Sequence, residues 1–564
     1  MPKMTGSKFI AETLKGYGVT HIFHVPTAFF GTLVALEGSG IQRVLTHGEK
    51  AAAYMADGYA RASRRPGVCM AQAVGVANLA AGMSDPYMGC SPVIAMTGAL
   101  NPLHRYRHAY QEFEHPQPFD AVTKASYQVD KVERLPDLLR QAFRDATSGT
   151  PGPVHLDVWD EALNAEADLE VLVEEPFTRI PPFRPEPEAS RVREAAALLM
   201  QAKKPVIVAG GGVIASLAWD EVRELAEMLT IPVATSLNGK TSIPNHHPLW
   251  AGMVGRYSRW CANRIVSGAD LVLFIGTRAG GMTTWDWKFP PRDMPTIQIN
   301  LDPSELGRTY PAQVALLGDA KVTLRRLVEA LEPLEPEKER LAEIQRLVAE
   351  WKAEFAPMRE SNASPIRPER LCQELTEFLP PDTLLVSDTG HSAIWSSTMI
   401  ELKQPGVNYI RCAGSLGWGL PGAIGAQCAV PDRKVVCFTG DGGFWYHIAE
   451  LETAVRHGIS PVIVVNDNHS LNQEMGPIRR AYGDPPWGNY QELMMFTDVD
   501  LAKVAQAMGC YGERVERPEE IRGALERAFA ADRLAVIDVV SDIEAMAPVP
   551  READVRPSVT APYS

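Results

Sequence analysis

The 564-residue chain contains no run of about 18 apolar residues that would span a bilayer, and Met1-Pro2-Lys3-Met4-Thr5 opens no apolar leader. Neither a membrane partner nor a secretory route is therefore expected. Its eight cysteines form no Cys-x-x-Cys pair, which removes the commonest zinc spacing. Reduced, mostly buried thiols in a cytoplasmic protein are the expectation. Positive charge is in deficit as well: 55 Lys and Arg stand against 69 Asp and Glu, a net charge of -14. Such a surface repels nucleic acid and anionic lipid, so the expected partner is a small molecule. No period of about 20 to 50 residues marks a solenoid.

What the chain does have is apolar runs that end in turns of small and oxygen-bearing residues. Val435 to Phe438 enters Gly440-Asp441-Gly442, and Pro461 to Val465 enters Asn466-Asp467-Asn468. Between them Ile448, Leu451 and Val455 recur at helical spacing, and Gly458 stands where that helix should stop. The pattern predicts a strand, a helix and a second strand parallel to the first. Parallel strands finish at one edge of a sheet, where open α/β sheets bind ligands. Asp441 and Asn468 would then share that edge. A hard ion such as Mg2+ takes oxygen ligands and leaves part of its shell to phosphate and water. Gly440, Gly442 and Gly443 would let the backbone approach a diphosphate and turn its amides towards it.

These two turns, at this separation, resemble the metal-binding signature of the thiamin diphosphate enzymes, a Gly-Asp-Gly followed nearly thirty residues later by an Asn-Asn pair. Here Asp467-Asn468 stands in place of the pair. The resemblance implies thiamin diphosphate and Mg2+ as cofactors, the metal held by Asp441, the Asn468 side chain and the Ser470 carbonyl. A second segment, Thr46-His47-Gly48-Glu49 through Ala56-Asp57-Gly58-Tyr59-Ala60-Arg61, is similar to the family's activating-glutamate motif. By that likeness Glu49 promotes the imino form of the cofactor's pyrimidine ring, and burial would tune its pKa for the task. Gly414-Ser415-Leu416-Gly417-Trp418-Gly419 resembles the loop that holds the pyrimidine, with the Gly414 carbonyl as acceptor and Leu416 as the apolar wedge. Ser387-Asp388-Thr389-Gly390-His391 looks like the diphosphate-contacting turn, which brings in Thr389, Gly390 and His391. Tyr110-Gln111-Glu112 and Thr123-Lys124 are similar to the acetolactate synthase branch, with Gln111 facing the cofactor.

Length calls for about three domains, since single cores seldom exceed roughly 250 to 300 residues. The fold class expected is α/β, with three doubly wound parallel-sheet domains. They should run over 1–180 (pyrimidine-binding), 188–340 (Rossmann-like) and 360–548 (diphosphate- and Mg-binding), with a tail over 549–564 around Arg551 and Arg556. In the middle domain Gly210-Gly211-Gly212 follows Pro205 to Ala209, a turn explained equally by a nucleotide or by tight strand-helix packing. The family resemblance leaves FAD, ADP or no ligand open there, and implies a homodimer or homotetramer. Two stretches depart from acetolactate synthases where substrate should sit: Pro26-Thr27-Ala28-Phe29-Phe30, and His469 to Gly476. The expected reaction is carbon-carbon bond making or breaking on a 2-oxoacid or related carbonyl. The alternatives are an acyl-CoA enzyme of the 2-hydroxyacyl-CoA lyase or oxalyl-CoA decarboxylase kind, and a non-catalytic cofactor-binding scaffold.

Overall fold

The computed structural model describes residues 2–26, 28–99, 101–551, 553 and 555. Thr27 and Arg556, which the sequence places in a substrate segment and in the tail, lie outside the described residues. Among the described residues no helix is long and apolar enough to cross a membrane.

Three six-stranded sheets, every pairing in them parallel, organise the chain. Strands such as Val462–Asp467 and Leu271–Ile275 are buried at every position, as expected when helices cover both faces of a parallel sheet. In the first sheet the spatial order is Gln42–Leu45, His21–His24, Gly67–Ala71, Val93–Ala99, Val154–Trp159, Ala125–Val129. The last sheet runs Tyr409–Arg411, Leu384–Ser387, Val435–Gly440, Val462–Asp467, Ala535–Val540, Tyr511–Val515. Numbered along the chain within each sheet, both orders read 2-1-3-4-6-5, so the outer domains share one topology. The middle sheet, Trp250–Met253, Val233–Thr235, Pro205–Ala209, Leu271–Ile275, Thr296–Asn300, Val314–Leu317, reads 3-2-1-4-5-6, the dinucleotide-fold order.

The strand-helix-strand unit read from the sequence is present. Val435–Gly440 pairs in parallel with Val462–Asp467, Gly440 lying opposite Asn466. The helix Glu450–His457 lies between them and is capped by Gly458 in the left-handed conformation (φ 65°). The helix Lys338–Arg359, in the charged stretch before the last domain, buries Ile344, Leu347 and Trp351. One apolar core runs from the middle sheet through this helix into the last sheet. Another joins the helix Glu49–Ser63 of the first domain to the helix Gly419–Ala429 of the last.

Candidate active site

In a 2-1-3-4-6-5 sheet the connections diverge between strands 1 and 3, which opens a crevice beyond their carboxyl ends. In the last sheet these strands are Leu384–Ser387 and Val435–Gly440. The first delivers Asp388, Thr389, Gly390 (φ 68°) and His391, and the second delivers Gly440 and then Asp441 as the first residue of the helix Asp441–Trp445. Strand 4, Val462–Asp467, brings Asn468 and Ser470 to the same edge. These residues therefore lie together at one edge of the last sheet.

Asp441 is only 2% exposed, and its Oδ2 has no partner. Burial pushes its carboxyl well above the usual range and the neighbouring Asp467 adds to the shift, against the backbone amides of Asp441, Gly442 and Asn468. Asn466 Oδ1 and Asp467 Oδ2 are also buried without partners. Buried oxygens with no donor are costly in a folded protein, and a hard cation satisfies them. Ser470 Oγ donates to Asn468 Oδ1 at 2.9 Å and so orients the amide. The donor set fits Mg2+. A Cβ on Gly442 would lie 2.5 Å from Leu471 Cδ2, and one on Gly443 3.0 Å from Asp388 Oδ2, so neither position has room for a side chain. Burial pushes His391 down to about 4, leaving it neutral near pH 7 with Nδ1 unpartnered.

Two carboxylates not singled out in the sequence organise the loops around this crevice. Asp388 is buried and accepts from the backbone amides of Thr389 (2.7 Å), Gly417 (3.1 Å) and Gly419 (2.8 Å), tying the diphosphate turn to the glycine-rich loop. Its burial raises the carboxyl to about 6, against those same amides. Asp85, from the first domain, accepts from the amides of Ala413 (2.9 Å), Gly414 (3.3 Å) and Ser415 (3.1 Å), and from Arg61 at 2.8 Å. Gly414 itself is exposed, with no atom within 4 Å of where a Cβ would stand, and Leu416 is half-buried beside it. The amides that Asp85 accepts from lie more than 300 residues away in sequence, and no local pattern announces such a contact.

Glu49 opens the helix Glu49–Ser63, at the corresponding edge of the first sheet. Asn78 Nδ2 donates to its Oε2 at 3.2 Å, and a Cβ on Gly75 would fall 2.4 Å from its Oε1. The expectation of a buried glutamate is corrected here: in the single chain Glu49 is half-buried, because it sits at an open helix start on a sheet edge. The rest of its motif packs the domains together. Arg61 pairs with Asp57 and Asp85, and Trp418 Nε1 donates to Asp57 Oδ2 at 2.9 Å. Gln111 lies on a loop of the first domain in a left-handed conformation (φ 61°), half-buried beside an exposed Tyr110.

The comparisons with known proteins extend this geometry. Residues 4–118 match the N-terminal TPP binding domain of thiamine pyrophosphate enzymes, 192–327 their central domain and 388–539 their C-terminal TPP binding domain. The probable acetolactate synthase large subunit of Methanocaldococcus jannaschii is 34% identical over 560 residues, covering 97% of this chain and 94% of the relative. The chain belongs to the thiamine pyrophosphate enzymes. Within them it falls with acetolactate synthase-like proteins: the isozyme 2 large subunit of Escherichia coli is 30% identical over 96% of each chain. The Corynebacterium glutamicum large subunit is 29% identical over 99% of this chain and 89% of its own. This member of the family is a thiamin diphosphate-dependent enzyme, and the scaffold reading is set aside.

A second crevice lies at the switch point of the middle sheet, where a cavity of about 520 Å3 opens between the middle domain and residues of both others. Gly211, Gly276, Asn300, Glu305 and Asp319 line it, with Arg64 from the first domain. A Cβ on Gly210 would lie 2.3 Å from the Gly276 carbonyl oxygen, and one on Gly212 2.6 Å from Gly276 Cα. Close packing of the two turns therefore explains these glycines without a ligand.

Proposed function

We propose that this enzyme is a cytoplasmic, Mg2+-dependent carboligase that acts on a 2-oxoacid and works as a homodimer or homotetramer. The observation that carries the reading is the buried, unpartnered Oδ2 of Asp441, set beside Asn468 at the switch point of the last sheet. Asp441, the Asn468 side chain and the Ser470 carbonyl would hold the metal. The amides of Gly442 and Gly443, with Thr389, Gly390 and His391, would receive the diphosphate, and Gly440 keeps the approach open. Gly414 and Leu416 would hold and bend the pyrimidine end.

When bound, thiamin diphosphate supplies a nucleophilic carbon and an electron sink for carbon-carbon chemistry. Glu49 would share a proton through its Oε1 with the pyrimidine ring, and Asn78 would fix that carboxyl by its bond to Oε2. We place Glu49 of one copy over the crevice of another. In support, Phe30 (61%), Val74 (59%) and Tyr446 (55%) are exposed apolar side chains, and Val74 adjoins Gly75 over the Glu49 carboxyl. Burial by a second copy would supply the desolvation that a working carboxyl needs. Gln111 would face substrate from the first domain. The middle cavity would take the adenosine diphosphate part of FAD or ADP, with Arg64 and Arg278 near the phosphates and Glu305 near the ribose.

The substrate class is tested by incubating holoenzyme with pyruvate, with larger 2-oxoacids, and with 2-hydroxyacyl-CoA or formyl-CoA plus an aldehyde, reading products by mass spectrometry. Turnover of a 2-oxoacid to a ligated product is expected. Turnover confined to the CoA thioesters would reject the substrate proposal and favour the acyl-CoA alternative.

A further inference from the structure

The segment Ala56-Asp57-Gly58-Tyr59-Ala60-Arg61 belongs to a cofactor motif in the sequence, yet the chemistry proposed above gives it no task beyond packing. Its two charged residues lead to the glycine-rich loop. Arg61 Nε and Nη2 donate to Asp57 at 2.8 and 2.7 Å, and Nη2 also donates to Asp85 Oδ1 at 2.8 Å. Both carboxylates are fully buried. Arg61 Nη1 donates to the Arg411 carbonyl, and the Trp418 indole donates to Asp57 Oδ2 at 2.9 Å, so this pair grips the loop at both ends. Asp85 takes the stretch between. The Ala413 amide reaches its Oδ1 at 2.9 Å, and the amides of Gly414 and Ser415 reach its Oδ2 at 3.3 and 3.1 Å.

These bonds set the direction of a carbonyl. In the planar trans peptide that joins Gly414 to Ser415, the Ser415 N–H and the Gly414 C=O point in opposite directions. The N–H is aimed at Asp85, so the carbonyl points away from it. Gly414 is exposed, with open space where a Cβ would stand. With Gly414, Gly417 and Gly419 in so short a stretch, the loop has little stiffness of its own, and its orientation has to be imposed from outside. Asp388 imposes it on the far side through the amides of Gly417 (3.1 Å) and Gly419 (2.8 Å). The loop's donors are thus drawn inward onto carboxylates. A carboxylate on the N–H side of a peptide also polarises its carbonyl into a better acceptor.

We infer that Asp85 is a positioning residue for the cofactor's pyrimidine ring: it fixes the Gly414 carbonyl, the acceptor for the ring's amino group. Arg61 and Asp57 hold Asp85 and the loop ends in place, which gives the motif its task. The inference rests on the cofactor reading above. Asparagine at position 85 would have nearly the same shape, but its NH2 group would face a donor whichever way it turned. At Oδ1 it would meet Arg61 and the Ala413 amide, and at Oδ2 the amides of Gly414 and Ser415. The loop must then turn, while the metal and diphosphate crevice keeps its own residues.

The test titrates the full-length, metal-stripped protein and its Asp85→Asn variant with thiamin diphosphate and with inorganic pyrophosphate, each in the presence of Mg2+, by calorimetry. Thiamin diphosphate should bind the variant at least ~10-fold more weakly, whereas pyrophosphate, which has no pyrimidine, should bind both proteins within ~2-fold. Deuterium exchange at the thiazolium carbon, read at saturating cofactor, should slow at least ~10-fold. Unchanged cofactor affinity and exchange, or an equal loss for pyrophosphate, would overturn the inference and leave Asp85 a structural fastener. If the variant does not fold, amide hydrogen exchange in the metal-stripped parent decides. The amides of Ala413 to Ser415 should be protected before any cofactor is added, and protection that appears only with cofactor would overturn the inference too. A parent that binds no thiamin diphosphate with Mg2+ would remove the cofactor reading itself, and this inference with it.

Discussion

A carboxyl as buried as Asp441, with one oxygen bare, stays charged only if a cation compensates it. Asp441→Asn keeps the shape and removes the charge, so it should lose metal-dependent cofactor binding almost as completely as Asp441→Ala. Glu49 makes a different prediction, because the role proposed for it lies in proton transfer. Glu49→Gln should keep the fold and most of the cofactor affinity, yet slow deuterium exchange at the thiazolium carbon of bound cofactor by ~100- to 10,000-fold. Exchange quenched in acid and read by NMR measures this without a known substrate. A variant exchanging as fast as the parent would make Glu49 a structural charge. The sequence pattern led directly to both residues, since each stands in a local motif. Asp388 and Asp85 escaped notice because their work is to accept backbone amides from loops remote in sequence.

At the level of elements, the helix Glu49–Ser63 and the helix Gly419–Ala429 meet with almost no side chain between them. A Cβ on Gly58 would lie 2.0 Å from the Gly422 carbonyl oxygen, and one on Gly425 1.9 Å from that of Met55. Gly58→Ala or Gly425→Ala must push the two domains apart, and each should cost about 1 to 3 kcal/mol or more in chemical denaturation. Gly414→Ala meets no atom within 4 Å and should change stability by less than ~0.5 kcal/mol. Equal losses at all three positions would refute this packing. The strand-helix-strand unit was legible in advance because its apolar period and its Gly458 stop are local signals. The close helix contact was not, since Gly58 read equally well as part of a cofactor motif and Gly425 stood in none. At Gly210 to Gly212 the structure supplies what the sequence lacked: the opposing Gly276 backbone.

Across the whole molecule, the middle and last domains are joined by buried charge as well as by apolar core. Arg259 is fully buried, lies over Trp250 (4.4 Å) and Trp351 (4.1 Å), and pairs with Glu401 at 3.0 Å. Lys352 meets the same carboxylate at 3.0 Å. Burial by itself would raise the Glu401 carboxyl, but Arg259 and Lys352 overcome it and hold it at about 2, against an ordinary 4.5. A depressed carboxyl contributes stability above its unfolded pKa and loses it as pH falls through its folded value. Resistance to unfolding should therefore drop between pH 4.5 and 2. Glu401→Gln should be less stable at neutral pH by about 3 to 5 kcal/mol, as for a broken buried pair, and flatter across that acid range. Parallel thermal scans of parent and variant check the sign, and an unchanged acid slope would remove Glu401 as the cause.

The open state of Glu49 in a single chain was not legible in advance, because the exposure of a residue at a helix start on a sheet edge leaves no mark in the local pattern. The assignment rests above all on the metal and diphosphate crevice at Asp441. Calorimetric titration of metal-stripped protein with thiamin diphosphate, with and without Mg2+, tests it most directly. Binding should appear only with Mg2+ and vanish in Asp441→Ala. Binding of equal strength without the metal, or undiminished in Asp441→Ala, would contradict it.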